Sequence, residues 1–194
     1  IAYGSRYTEE SVTRADYDKE SNAQVNAALS PIDDFIRDLV KLMDEAIGGN
    51  SISAHCAMEA IHNWALADAL SAQQTDNVRM SIASRYGSMA TVYRILTDAG
   101  YMHSEAEQSE IRDWCARRAE ETVAYYENDA PQGVRRNNLR AWAALATIEV
   151  GIAFDADHLV DWGAESVRFV MSFADEDGSL PGEMRRGKFA LHYQ

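Results

Sequence analysis

Apolar residues recur at helical spacing along almost the whole chain, and no segment sustains the every-second-residue alternation of a half-buried strand. Ile32, Phe35, Ile36, Leu39, Val40, Met43 and Ile47 share one helical face, and Gly48-Gly49 ends the run. Ahead of them Ser30-Pro31, with Asp33 and Asp34, carries a helix-start signal: a capping side chain, a first-turn proline, and acids at the positive end of the dipole. A second helix is predicted over about 51–70. A third carries Val78, Ile82, Tyr86, Met89, Tyr93 and Leu96 and ends near Gly100. Ser104 and Glu107 have the spacing of a capping box and open a fourth, with Ile111, Trp114, Cys115, Val123 and Tyr126. Two more are predicted over about 137–152 and 157–174. The expected class is all-α.

The helices come in pairs. Asn63-Trp64-Ala65, Asp113-Trp114-Cys115-Ala116 and Asp161-Trp162-Gly163-Ala164 recur about every 50 residues, each in the second helix of a pair. Stacked helical hairpins, as a solenoid or a toroid, would give this period. Tryptophans chosen only as good core residues would give it too. Small residues on one face of the third helix (Ala83, Gly87, Ala90) would let inner helices approach closely.

Composition narrows the function. With 46% hydrophobic and 25% charged residues the chain has the makings of a packed core rather than a disordered segment, and 194 residues suit one domain. No apolar run is long enough for a membrane-spanning helix. Ile1 stands first with no charged-then-apolar leader behind it, which leaves a removed signal peptide open. A net charge of −13 argues against nucleic acid and against a membrane surface as partners. It would also repel a polyanion at long range. However, Arg135, Arg136, Arg140, Arg185, Arg186 and Lys188 lie in two short stretches, and charge acts locally because screening sets in within roughly 8–10 Å. Cys56 and Cys115 each fall on the apolar face of a predicted helix, as a disulfide or as two buried thiols.

The chemistry of the chain is equally selective. His55, His62, His103, His158 and His192 show no i,i+4 metal-ligand pair, and Asp175-Glu176-Asp177-Gly178 opens like a calcium loop without its closing glutamate, so a turn is expected there and no dedicated metal or cofactor site. No glycine-flanked serine elbow and no phosphate-cradling loop occurs, while the abundant carboxylates leave an inverting glycosidase open. Asn138, Arg186 and Tyr193 together suit removal of the proton at C5 of a uronate. An arginine and an amide neutralise the carboxylate, and a tyrosine takes the proton and returns it to the leaving oxygen. On the residues alone, a helix-capping asparagine, a surface arginine cluster and a half-buried tyrosine remain the plainer reading.

These segments resemble the alginate lyases, polysaccharide lyase family five and its relatives. Asn137-Asn138-Leu139-Arg140-Ala141-Trp142 stands where the family has Asn-Asn-His followed closely by Tyr-Trp. Asp177-Gly178 through Glu183-Met184-Arg185-Arg186 to Ala190-Leu191-His192-Tyr193-Gln194 is similar to a second family stretch. Asn63-Trp64-Ala65-Leu66-Ala67-Asp68-Ala69-Leu70 is similar to a third, and Ser5-Arg6-Tyr7 resembles a Ser-Lys-Tyr lid segment. The order and spacing agree over nearly the whole chain. The resemblance implies an incomplete (α/α) toroid built from helical hairpins, with residues 1–29 as a lid segment and 30–194 as hairpins. The single 1–194 domain is expected to be truncated at its C-terminal end, because family members continue with further helices. It implies a lyase cleaving an acidic polysaccharide of 1,4-linked uronates by β-elimination, in the periplasm or outside the cell, with no cofactor. Tyr193, Arg186 and Asn138 would be catalytic, and Ser5, Arg6, Tyr7, Asn137, Trp142 and His192 would contact the sugar.

One departure bears on activity. Leu139 occupies the place of the family histidine, and leucine neither neutralises a carboxylate nor takes a proton. Two expectations follow. The chain is a lyase restricted to mannuronate- or glucuronate-type links, where the C5 proton and the C4 oxygen leave from one face and one tyrosine serves both. Alternatively it is an inactive relative that binds polyuronate. A helical scaffold is the third reading.

Overall fold

The computed structural model describes residues 1–187 and 190 and is helical, with no strand among the described residues beyond a single bridge between Tyr7 and Tyr17. Six longer helices carry the architecture: α1 (Lys19–Ile47), α2 (Ser51–Leu66), α4 (Ala83–Asp98), α5 (Glu105–Ala124), α7 (Asn138–Ala153) and α8 (Asp157–Met171). Short helices α3 (Asp76–Ser81), α6 (Gln132–Arg135) and α9 (Pro181–Met184) sit at the junctions. Helix α1 packs on α2 and α4, α4 on α7, α7 on α8, and α2 on α5. Three hairpins (α1/α2, α4/α5, α7/α8) therefore stand side by side, with α1, α4 and α7 as one layer and α2, α5 and α8 as the other. This is the arc of an (α/α) toroid. Trp64, Trp114 and Trp162 fall in α2, α5 and α8, so the 50-residue echo does mark the second helix of each hairpin.

The inner layer is held by the absence of side chains. A Cβ on Gly87 would lie 2.6 Å from Ala146 Cβ and 2.7 Å from its Cα, so α4 and α7 touch almost backbone to backbone. The α7–α8 contact is as close: a Cβ on Gly163 would meet Ile148 Cγ1 at 2.5 Å, and one on Gly151 would meet Val160 Cγ2 at 2.6 Å. Ala83, Ala90, Ala143, Ala144 and Ala146 are buried along the same contacts. The tryptophans do three different things. Trp64 stacks on Phe35 at 4.5 Å, Trp114 donates to the Ala69 carbonyl (2.8 Å), and Trp162 donates to Glu127 Oε1 (2.8 Å).

Several predicted boundaries move. Helix α1 begins at Lys19, capped by Asp18 Oδ1 accepting from Ser21 N (2.7 Å), and runs through Pro31. A proline inside a helix forfeits one backbone bond. Here the buried stripe Val25, Leu29, Ile32, Leu39 and Ala46 continues on both sides of it, and packing outweighs the local start signal at Ser30-Pro31. The supposed cap Ser30 bonds Asp34 instead, and Asp33 reaches across to Arg85. Helix α2 stops at Leu66 because Asp68 and Leu70 take left-handed backbone (φ 45° and 64°). The third predicted helix breaks at Ile82: Ser81 Oγ donates back to the Asn77 carbonyl (2.6 Å), and the Ser81 carbonyl accepts from the Arg85 guanidinium (3.1 Å). The Ser104–Glu107 capping box forms as predicted, and α5 ends in a π-helical turn, Tyr125–Asp129, that buries Tyr125 and Tyr126.

The cysteines are not a pair. Cys115 is fully buried in α5, where burial pushes its thiol pKa up, but Cys56 lies on the solvent side of α2, opposite Ala54, Ala57, Met58 and Ile61. Asp175–Ser179 is a turn, as expected: Asp175 N donates to the Ser179 carbonyl (2.8 Å), Ser179 N donates to Asp177 Oδ1 (2.9 Å), and Gly178 supplies a φ of 84°. No helix among the described residues is long and apolar enough to cross a membrane.

Candidate active site

A cleft opens where the N-terminal ends of α4 and α7 meet the N-terminal half of α1, beneath the extended segment 1–18. It has a volume of about 180 Å³ and is lined by Tyr3, Ser5, Arg6 and Tyr7 from that segment, Ser81 and Arg85 from the α3–α4 break, and Asn138, Leu139 and Arg186. A second compartment of about 740 Å³ adjoins it, sharing Arg14, Met80, Leu139 and Arg186.

Asn137 caps α7 by accepting from Leu139 N (2.9 Å), which places Asn138 as the first helical residue with its side chain in the cleft. Its backbone N–H donates to Glu183 Oε1 (3.3 Å), and its side-chain Oδ1 is buried with no partner among the described residues. A buried polar atom left unsatisfied is uncommon and marks a place for a ligand or water. Glu183 is the hub. It is 2% exposed, it meets the Asn138 amide with one oxygen, and its Oε2 lies 2.8 Å from Arg186 Nε. One carboxylate thus fixes the start of α7 and the Arg186 guanidinium relative to each other, one turn apart on α9 and the residues after it. The sequence contained Glu183 within the recognised stretch, but only the fold shows what it holds. The spacing to Arg186, three residues on, was the available signal.

The lid segment is tied down at its root. Arg6 Nη1 donates to Asn22 Oδ1 (2.7 Å) and Asn26 Oδ1 (2.5 Å), two residues one turn apart on α1. Tyr7 stacks on Tyr17 with ring centroids 5.2 Å apart, and Ser5 Oγ accepts from Tyr7 N (3.1 Å). Asp18 N donates to the Arg6 carbonyl, so the α1 cap and the lid share one junction. Tyr3, which the sequence reading left out, donates to or accepts from Ser81 Oγ (2.7 Å) and anchors the segment to the α3–α4 break. Burial raises the Tyr3 pKa, so it stays a neutral phenol.

The expected site residues divide accordingly. Ser5, Arg6, Tyr7, Asn138 and Arg186 line one cleft. Asn137 has its side-chain oxygen taken by the helix cap and faces the second compartment. Trp142 is set apart: it is 52% exposed, on an edge of α7 shared with Leu145 and Ile152, because Ala143, Ala144, Ala146 and Thr147 take the buried face. Arg140 also leaves the basic cluster. It is buried, bonded to Ser166 Oγ (3.0 Å) and Glu127 Oε1 (2.7 Å), and stacked against Trp162 and Phe169, where it joins α7 to α8. Tyr193, His192 and Lys188 lie outside the described residues. Among the described residues six arginines line the two compartments (Arg6, Arg14, Arg85, Arg136, Arg185 and Arg186) with one carboxylate, Glu183, while Asp33 pairs with Arg85 from outside the lining. In a chain of net charge −13 that is a local inversion of sign, and it suits an anionic ligand.

Comparison with known proteins fits this geometry. The profile of the family described as alginate lyase matches residues 6–194. A polysaccharide lyase of Stenotrophomonas maltophilia is 29% identical over 86% of this chain and 50% of its own length, and an alginate lyase of Pseudomonas putida is 26% identical over 100% and 53%. The chain thus spans about half the length of these curated relatives. Among solved structures, alginate lyase A1-III of Sphingomonas species A1 superposes with a TM-score of 0.73 at 21% identity, covering 100% of this chain and 53% of that one. A variant of the same lyase complexed with a tetrasaccharide superposes with a TM-score of 0.78, also at 21% identity. The match to the family profile runs through the lid, the hairpins and the Asn138–Glu183–Arg186 cluster, and on it the chain belongs to the alginate lyase family.

Proposed function

We propose that the protein is a polysaccharide lyase that cleaves 1,4-linked polyuronates by β-elimination, with mannuronate- or glucuronate-type links as substrate. The observation that carries this reading is the pairing of Asn138 and Arg186 through Glu183 at the floor of an arginine-lined cleft. The C5 proton of a uronate is acidic only if its carboxylate can take up the charge that develops when the C5–H bond breaks. A guanidinium and an amide held in place beforehand supply that stabilisation at no cost of reorganisation. The Asn138 amide, whose two ends exchange by a turn of its terminal torsion, offers a donor to the carboxylate. A general base takes the C5 proton, the electron pair forms the C4=C5 double bond, and the C4–O4 bond breaks. The same proton then passes to the departing oxygen, so atoms and charge balance. Tyr193 is the residue assigned to this proton transfer.

Leu139 lines the cleft beside Asn138 and leaves that wall apolar. With no titratable side chain at position 139, the reading has one group serve both the C5 proton and O4. That geometry exists in β-linked mannuronate and glucuronate, where both leave from one face, and is absent in guluronate. Polymers of this kind lie outside cells, so the reading places the protein in the periplasm or beyond it. Leu139 also favours the second reading, a relative that retains polyuronate without cutting it. The test is the appearance of unsaturated uronate ends, read by near-ultraviolet absorbance, on polymannuronate and glucuronan with a Tyr193→Phe control. Binding without any such ends would support the second reading and overturn the first.

A further inference from the structure

Arg118 lines neither compartment, yet it is the most deeply buried charged side chain described, 2% exposed on α5. Its Nη2 donates to Glu121 Oε1 (2.7 Å) and lies 3.7 Å from Asp68 Oδ1. Its Nε and Nη1 are buried with no partner among the described residues. A guanidinium taken out of water with two of its nitrogens unsatisfied is costly, and such a group calls for a reason.

The reason lies in residues 67–75, which join α2 to α3. Asp68 and Leu70 take left-handed backbone there, with φ of 45° and 64°, although neither is glycine. Backbone of that kind persists only where its surroundings hold it. Trp114 Nε1 donates to the Ala69 carbonyl (2.8 Å), and Arg117 Nη2 donates to Asp68 Oδ1 (3.3 Å). Gln73 Nε2 donates to the Leu70 carbonyl (3.1 Å) and to Glu121 Oε2 (3.4 Å). Trp114, Arg117, Arg118 and Glu121 stand at i, i+3, i+4 and i+7, so one stripe of α5 grips the loop, with Arg118 between its two acids. The loop in turn carries the lid: Gln74 N donates to the Ile1 carbonyl (3.1 Å) and Thr75 Oγ1 to the Tyr3 carbonyl (2.8 Å). Thr75 also caps α3, which supplies Asn77, Met80 and Ser81 to the cleft wall. The opposite wall, Asn138 with Glu183 and Arg186, is built on α7 and α9 and shares none of these bonds.

We propose that Arg118 is a positioning residue for the elimination: with Asp68 and Glu121 it clamps the strained 67–75 loop, and so fixes where the lid root and the α3 wall stand over the sugar, without touching the sugar itself. This inference rests on the polyuronate reading above. Loosening the clamp weakens the hold on the substrate and leaves the Asn138–Glu183–Arg186 wall in place, so KM moves more than kcat.

The experiment compares the full chain with Arg118→Met, Arg118→Lys and Glu121→Gln, with Arg94→Met as control. Arg94 pairs with Glu149 between α4 and α7 and lines neither compartment, so its loss costs stability without reaching the loop. Backbone amide exchange is followed by mass spectrometry, and kcat and KM are measured on polymannuronate and glucuronan. Arg118→Met should speed exchange over 67–75 and over 1–7, raise KM about tenfold and change kcat less than about threefold. Arg118→Lys should recover part of this, and Glu121→Gln should show the same pattern more weakly. Should Arg118→Met fail to fold, these two carry the test. Arg94→Met should keep the parent's KM even as it melts earlier. Faster exchange confined to 67–75, a fall in kcat at unchanged KM, or an equal rise of KM in Arg94→Met would overturn the inference, while cleavage by the parent kept the lyase reading. If the parent cuts neither polymer, faster exchange at both segments would support the clamp and overturn the lyase reading, and unchanged exchange would overturn both.

Discussion

The contacts of α4 with α7 and of α7 with α8 differ sharply from the cleft at the head of the same helices. Along the first, glycines and alanines bring backbones together, and the polar side chains there are satisfied within the fold: Thr147 by the Ala144 carbonyl, Arg140 by Ser166, and Arg94 by Glu149. At the head of α7 the chain presents Asn138, whose side-chain oxygen has no partner among the described residues, a buried Glu183 and a row of arginines. The inner helices reach their close approach by giving up side chains, and this rigid contact then holds the polar residues at its end in a fixed relation. Precision in the cleft is supplied by packing that takes no part in chemistry.

The predictions separate the two regions. The largest effect is expected from Asn138→Ala, which removes a donor to the developing charge but no packing. Turnover should fall about 10²–10³-fold, equivalent to roughly 3–4 kcal/mol, with little change in the urea midpoint. An equal loss of stability would show that the site and the inner contact are one unit. Next is Gly87→Ala. The added Cβ meets backbone of α7, so the two helices must separate, at roughly 1–3 kcal/mol. The better helix preference of alanine returns only about 1 kcal/mol. Net destabilisation by chemical denaturation is therefore expected, and a more stable variant would show that the contact can relax.

The smallest effect lies outside both regions. Glu107 accepts from the Ser104 hydroxyl and backbone, which hold its carboxyl pKa down at about 2, against an ordinary 4.5. A carboxyl held low in the folded state contributes stability that is complete above about 4.5 and is lost as the pH falls through about 2. Glu107→Gln should remove that part of the acid sensitivity, seen as a shallower fall in melting temperature across this window. Because the group is on the surface the change should be small, and an unchanged acid profile would dismiss the capping box as a stabilising element.

What the sequence made legible, and what it hid, follows the same division. Helical class, hairpin pairing and the Ser104–Glu107 box were readable because periodicity and capping are local properties. The start of α1 was not: Ser30-Pro31 reads locally as a helix start, and only the burial of Val25 and Leu29 before it explains why the helix already runs there. At the site, Asn138 and Arg186 were named from the sequence, and the fold does bring them to one cleft. Glu183 and Arg14 acquire meaning only through long-range contacts, which spacing does not encode. Arg140 was read as part of the basic cluster because a helix of small residues gives no hint of which edge faces a neighbour. Arg140 turned out to be a strut between α7 and α8, and Trp142 faces solvent.

The most direct test of the central claim is the rate at which near-ultraviolet absorbance rises when the protein meets polymannuronate, glucuronan and polyguluronate, each beside the Tyr193→Phe variant. The account predicts a rise on polymannuronate or glucuronan that the variant abolishes, and little on polyguluronate because Leu139 offers no base on the opposite face. Comparable rates on polyguluronate would contradict the one-sided elimination, and a folded chain that leaves all three polymers intact would contradict the assignment of the cleft as a lyase site.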